Sequence, residues 1–221
     1  MRFRFSSFFC FLCFWMTAIV ADFETLESFY QALQEKSKSL KTFQSKIRQS
    51  KTLKILAKTL VSEGQVWFKK ENQVRWEIKS PEQSTVWILE QKMWCYFPEF
   101  KQCEVYDLTQ FSQAKNHPGS LFLGIFQDIK TFQKNNRLEF QNVEKTYQLT
   151  VTPLQKKPSF RQIRFDFDKN ELVPVKILFE YPNGDQTLTE FEELQLNLDI
   201  IDKLFLPEFP EETEIIEISP K

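Results

Sequence analysis

"SEGQVWFKKENQVRWEIKSPEQSTVWILEQKMWCYFPEFKQCEVY", residues 62–106, decides how the chain folds. Within it Val74, Trp76 and Ile78 alternate with Arg75, Glu77 and Lys79. A period of two turns the first set toward a packed face and the second toward water, as in a half-buried strand. Glu71-Asn72 reads as a two-residue turn back to "SEGQVWFKK", which would set Trp67 directly opposite Trp76. "STVWILEQKMWCYFP" supplies two more strands, turning near Glu90-Gln91-Lys92. A last hairpin, centred on Glu99 after Pro98, would set Cys95 against Cys103 with Cβ atoms about 4.5–5.5 Å apart.

Upstream, Phe23, Leu26, Phe29, Tyr30 and Leu33 recur at three- and four-residue intervals and predict an amphipathic helix with an aromatic face. The pattern turns strand-like from Phe43. Downstream, "HPGSLFLGIF" interrupts the β rhythm, and Leu121–Phe126 predicts a short apolar helix. Strands resume in "RLEFQNV", "TYQLTVTP", "FRQIRFDFDK" and "PVKILFEYPNGDQTLTEFEELQLN", with turns at Asn170 and Asn183-Gly184. About ten strands and two helices predict a mainly β protein, a strongly curved sheet or open barrel with helices on one face.

The first residues carry Arg2 and Arg4, an apolar run from Phe8 to Val20, and Ala21 before Asp22. A basic start, a short apolar core and a small residue at its end predict a signal peptide over 1–21 and export, leaving one domain over 22–221. An uncleaved anchor is the alternative, though the run is shorter than the roughly 20 residues a spanning helix needs. Lipid attachment at Cys10 or Cys13 is disfavoured by Phe9 and Leu12, where a small residue is required. Without Arg2 and Arg4, 27 Lys+Arg face 30 Asp+Glu, and no basic stripe suggests nucleic acid. Cys95 and Cys103 remain, and an exported compartment favours a disulfide between them over two free, half-buried thiols. Their spacing is not C-x-x-C, so a redox role is not expected.

Enzyme chemistry has little to stand on. The chain has one histidine, His117, and four glycines, and it lacks H-E-x-x-H, G-x-S-x-G, P-loop and S-x-x-K motifs. Glu192-Glu193 sits on an alternating strand and reads as a solvated face. Aromatic surface is in surplus instead, with 24 Phe, 5 Trp and 5 Tyr. Such rings on a half-closed sheet suit a packed core or a cavity for an apolar ligand, and pattern alone leaves both open.

The same stretch resembles the periplasmic outer-membrane lipoprotein carriers, the LolA-like proteins. The shared skeleton is Gly64 and Trp67, the basic pair Lys69-Lys70, Arg75-Trp76, Pro81, then Trp94, Tyr96, Pro98 and Gln102. "LKTFQSKIRQS", "YQLTVTP", "YPNGDQTLTEFEELQLN" and "FLPEFPEETEII" extend the likeness in order along the chain.

The resemblance implies a half-open antiparallel β-barrel under an α-helical lid, enclosing a hydrophobic cavity. It implies a periplasmic monomer without cofactor or covalent chemistry. Such a protein takes acylated lipoproteins from an inner-membrane ABC-type release complex and passes them to an outer-membrane acceptor. By this likeness Trp67, Val74, Trp76, Ile78, Trp94 and Tyr96 are candidates for the cavity lining. Lys70 stands where the family often has an arginine that touches the lid backbone. An ammonium lacks the planar donor fork of guanidinium, so Lys70 is expected to latch the lid less firmly, or not at all. Cys95 and Cys103 stand where apolar or small residues are usual, as a staple beside the cavity. The alternative is a lipid- or lipoprotein-sensing module of the same fold that regulates an envelope signalling partner. The regulators of that kind carry a further C-terminal domain, for which no room is expected after Lys221.

Overall fold

Thr25 opens the first element: its Oγ1 accepts the backbone N–H of Ser28 at 3.2 Å and caps α1 (Leu26–Ser39). Lys36 and Lys38 fall in the last turn, at the negative end of the helix dipole. The structure, a computed structural model, describes residues 22–70, 73–109, 133–156 and 158–219. The expected signal segment, His117 and the expected helix at Leu121–Phe126 lie outside these residues.

Among the described residues the rest is almost entirely strand. The first half holds β1 (Thr42–Leu53), β2 (Lys58–Lys69), β3 (Gln73–Ser80), β4 (Ser84–Leu89), β5 (Lys92–Phe97) and β6 (Gln102–Asp107). The second holds β7 (Asn136–Asn142), β8 (Thr146–Pro153), β9 (Gln162–Asp168), β10 (Pro174–Glu180), β11 (Gln186–Leu196) and β12 (Glu214–Ile218). All twelve join one sheet in the order β12-β6-β5-β4-β3-β2-β1-β11-β10-β9-β8-β7. Each pairing is antiparallel except β12 on β6, which is parallel. The sheet does not close, because β12 and β7 end the order without pairing. Register shifts at Gln44/Lys46, Glu63/Gly64 and Pro174/Lys176 mark bulges, which bend and twist the strands that carry them. The result is the expected half-open barrel beneath a helix, with two more strands than the sequence pattern suggests.

Alternation gives the sheet an apolar inner face, on which α1 lies. Phe29 of α1 is fully buried, its ring 4.9 Å from Phe140, 5.5 Å from Tyr147 and 5.2 Å from Phe167. Tyr147, Leu149, Ile163, Phe165, Ile177 and Phe179 continue that wall, and none exceeds 1 % exposure. The helix is held at its N-terminal side as well: Tyr147 Oη accepts the Phe23 N–H at 3.2 Å, and Asn142 Nδ2 donates to Asp22 Oδ1 at 2.8 Å.

Two turns depart from the sequence reading, and each is one residue longer than assumed. Lys69 pairs with Gln73, so residues 70–72 close the β2–β3 hairpin, and Trp67 lies opposite Arg75 while Trp76 lies opposite Val66. Phe97 pairs with Gln102, so a 3-10 turn over Pro98–Phe100 and Lys101 in the left-handed region (φ 49°) close β5–β6. Cys95 is therefore opposite Glu104, and Cys103 opposite Tyr96. A one-residue slip turns a side chain to the other face. Cys95 faces inward and Cys103 outward, and both are free, buried thiols. The expected disulfide does not form.

Candidate functional site

Following the register outward from Trp76 defines the inner face of the first half-sheet. Val74, Trp76 and Ile78 on β3 meet Phe68, Val66 and Gly64 on β2, and Ile88, Val86 and Ser84 on β4. Met93 and Cys95 follow on β5, and Tyr106 and Glu104 on β6. Toward β11 the Trp76 ring stands edge-on to Phe191 at 6.2 Å, and Phe191 edge-on to Phe43 at 5.9 Å. Burial is graded along this face. Val74 and Trp76 are 2 % and 5 % exposed. Ile78, Val86, Phe97, Tyr106 and Leu108 are only partly buried against the core. The apolar surface thus runs from a packed centre to a partly open margin at β4–β6. That margin ends in a polar pair, Tyr106 Oη donating to Glu104 Oε2 at 2.5 Å. Burial, and then this bond, push the Tyr106 phenol upward, so it stays a neutral donor.

Val74, Trp76 and Ile78 are where the sequence reading expected them. Trp67, Trp94 and Tyr96 are not: the register carries all three to the outer face. There Trp67, Arg75, Trp87 and Trp94 are successive cross-strand neighbours from β2 to β5. The Arg75 guanidinium lies 5.5 Å from both the Trp67 and the Trp87 ring centroids, a double cation–π stack. The segment after β11 covers this row. Phe205, in a 3-10 turn over Asp202–Phe205, is fully buried, the Leu204 carbonyl accepts from Arg75 Nη1 at 3.5 Å, and Phe209 sits 5.8 Å from the Tyr96 ring. Lys69 Nζ donates to the Ile200 carbonyl at 3.1 Å and is paired with Asp202.

Sequence reasoning missed Phe43, Phe68, Met93 and Phe191 on the inner face. The signal was present, because a correct register from Trp76 selects them by alternation. A two-residue turn at Glu71-Asn72 would make Trp67 face Trp76 instead, and so selects the wrong set.

Lys70 does reach the helix. Its Nζ donates to the Lys38 carbonyl in the last turn of α1 at 3.0 Å, a single exposed bond at the negative end of the dipole. Beside it, Lys41, Thr42, Lys69, Gln73, Asn197 and Asp202 help line a depression of about 520 Å³. Its lining is mostly polar, with Leu198 and Ile200 among it, and its Lys69 is already paired with Asp202.

Among the described residues, the two thiols of β5 and β6 are not reactive. Burial first, and then the Glu104 charge, push the Cys95 thiol up to about 12 and Cys103 up to about 11, so neither supplies a thiolate. Among the described residues, no group of His, Cys, Asp and Glu is arranged to hold a metal ion, and no helix is long and apolar enough to cross a membrane.

The geometry is that of an unclosed β-barrel with an apolar inner face under a helix. The family follows from sequence. The model of the outer membrane lipoprotein carrier protein LolA matches residues 38–208, and the chain belongs to that family, whose members are binding proteins and not enzymes. An outer-membrane lipoprotein carrier protein of Chromohalobacter salexigens is 24% identical over 155 residues, which cover 70% of each chain. An uncharacterised conserved protein of Thermus thermophilus shares the fold, with a TM-score of 0.55 and 13% identity over 88% of this chain and all of that one. MucB from the MucA/MucB complex of Pseudomonas aeruginosa also shares it, with a TM-score of 0.50 and 14% identity, over 86% of this chain and 63% of that one.

Proposed function

We propose that this protein is a periplasmic carrier that shields the acyl chains of lipoproteins on its inner face between the two membranes of the envelope. The observation that carries the reading is the graded apolar face, packed at Val74 and Trp76 and partly open at Ile78, Val86 and Phe97. The family match supports it. An acyl chain of about 15 methylenes costs roughly 12 kcal/mol to expose to water, at about 0.8 kcal/mol per CH₂. A carrier replaces that burial and still lets go. Because the centre of the face is covered in this conformation, cargo enters as a population shift toward a more open state. Lys70 on the Lys38 carbonyl is the proposed latch of the closed state, and one exposed hydrogen bond is weak enough to break thermally. The proposed route begins with a signal peptide cleaved after Ala21. It continues with loading at an inner-membrane ABC-type release complex and ends with transfer to an outer-membrane acceptor, the carrier being monomeric throughout.

The test is release of a labelled triacylated lipoprotein from inner-membrane vesicles bearing an active release complex. One-to-one soluble complexes of cargo and protein are expected, and Trp76→Asp should abolish them. Cargo that stays on the vesicles would overturn the carrier reading. It would favour a second one, for which the fold likeness to MucB in a MucA/MucB complex is the supporting observation. On that reading the inner face senses lipid or lipoprotein and governs a signalling partner in the envelope.

A further inference from the structure

The β1–β2 hairpin outruns its neighbour on the β3 side, while on the other side β1 stays paired with β11 as far as Thr52 opposite Gln186. β2 pairs with β3 only as far as Glu63 opposite Ser80, yet it continues with β1 to Lys58 opposite Leu53. Residues 58–62 thus extend beyond β3 by roughly 16 Å, at about 3.3 Å per residue. The closing turn is Lys54-Ile55-Leu56-Ala57, with Ala57 in the left-handed region at φ 48°. Aliphatic side chains crowd its outer end, where Ile55 is 87 % and Leu56 66 % exposed, with Leu60 and Val61 exposed behind them. Three lysines are interleaved, Lys51, Lys54 and Lys58, all exposed, and none makes an ion pair with another described residue. From Gln49 to Ser62 there is no Asp or Glu, in a chain whose formal net charge is −1. The nearby carboxylate, Asp185 in the β10–β11 turn, accepts the backbone N–H of Lys54 at 2.9 Å and the Asn183 amide at 2.9 Å, and so holds the tip in place.

An aliphatic tip ringed by unpaired cations fits one partner chemistry. We infer that the β1–β2 tip docks the protein on an anionic phospholipid surface, Ile55 and Leu56 entering the acyl boundary and Lys51, Lys54 and Lys58 lying among the headgroup phosphates. A second copy of this chain is disfavoured, because a two-fold contact between tips would set lysines against lysines. A folded protein partner is disfavoured too. The tip is narrow, and it lacks the aromatic and arginine anchors that dominate small protein interfaces. A bilayer demands no shape complementarity, only a few apolar side chains and positive charge. One such patch gives reversible attachment, which suits a protein that visits a membrane without staying. The inference stands apart from the carrier reading, since it concerns the end of the β1–β2 hairpin and requires no cargo.

The test is vesicle flotation of the chain from residue 22 on, without lipoprotein present. Phosphatidylcholine–phosphatidylglycerol vesicles are compared with pure phosphatidylcholine vesicles. The protein should float with the anionic vesicles, and far less with the neutral ones or at high salt. Replacing Lys51, Lys54 and Lys58 by Gln should weaken binding by roughly fivefold per lysine. Ile55→Asp with Leu56→Asp should abolish it, while circular dichroism shows the fold unchanged. A fluorophore on Leu56→Cys should shift to the blue on the anionic vesicles, the buried native thiols staying unlabelled. The inference falls if the parent protein does not float, if it floats equally on neutral vesicles, or if the tip variants float like the parent. It also falls if the label on residue 56 reports water while the protein is bound.

Discussion

Gly64 offers the sharpest test of the register on which the inner face depends. It lies on β2 opposite Ile47 of β1 and Ile78 of β3, just past the bulge at Glu63. That bulge presses the β3 backbone under the glycine: a Cβ built on Gly64 would stand 2.0 Å from the Glu77 carbonyl oxygen and 3.0 Å from Ile78 Cα. An ordinary contact needs about 3.3 Å, so β3 must retreat by roughly 1 Å, and the obstacle is main chain rather than a side chain that can swing aside. β3 is also laddered to β4 on its far side, so the shift strains two pairings. Overpacking of this kind costs about 1–3 kcal/mol, and a weakened ladder bond adds about 1. Alanine returns about 0.5–1 kcal/mol through its smaller loss of chain entropy. Gly64→Ala is therefore expected to destabilise by about 2–3 kcal/mol, which lowers Tm by roughly 4–12 °C in a chain of this size. Urea unfolding followed by tryptophan fluorescence measures it. Gly184→Ala is the control. Its new Cβ meets only the flexible Lys54 side chain, but its φ of 87° disfavours alanine, and about 1 kcal/mol is expected. A Gly64→Ala protein within about 0.5 kcal/mol of the parent would refute the close approach of the Glu77 carbonyl that this register places under Gly64.

The remaining expectations concern single side chains. Cys95 and Cys103 should react with a thiol reagent at pH 8 at least about a hundredfold more slowly in the native protein than in urea, and the oxidised native chain should show no disulfide on non-reducing gels; rapid labelling would contradict their burial. Lys70→Met should raise amide exchange in the last turn of α1 by roughly two- to fivefold, Lys70→Arg should lower it below the parent, and global stability should change by less than about 1 kcal/mol in either. Arg75→Lys should cost about 1–2 kcal/mol by loss of the double stack and the reach to Leu204, and should expose residues 198–213 to limited proteolysis; a protease-resistant variant would mean that the stack does not hold the covering segment.

The fold was legible because alternation in β3, β8 and β9 is nearly unbroken and the motifs run in family order. The facing of individual side chains was not, and the reason is local. A two-residue turn at Glu71-Asn72 and a three-residue loop through Lys70 leave the same strands in place but send Trp67 to opposite faces. Lys101 in the left-handed region does the same to Cys103. Neither residue type announces positive φ or an extra loop position, as glycine would. Equally unreadable was the segment after β11. Ile200, Leu204 and Phe209 carry no periodic pattern, and it is the buried Phe205 and Ile200, with the contacts to Arg75, Lys69 and Tyr96, that show the segment sealing the outer wall.

That seal bears on how a carrier of this form would work. A sheet whose inner face must empty and refill cannot draw all its stability from that face, since each departure of cargo would remove contacts from one side. Here the wall is anchored twice over. Trp87 is 2 % exposed on the outer side and Trp76 5 % on the inner, one strand apart. Arg75, stacked on Trp67 and Trp87, ties β2, β3 and β4 together behind the residues proposed to touch cargo. β12 then covers the β6 edge, which an unpaired strand would otherwise leave open to aggregation. On this reading the outer tryptophans Trp67, Trp87 and Trp94 hold the inner face in shape while its occupant changes. Their loss should therefore lower stability with cargo bound or absent, whereas Trp76→Ala should lower cargo affinity beyond what its cost in stability explains.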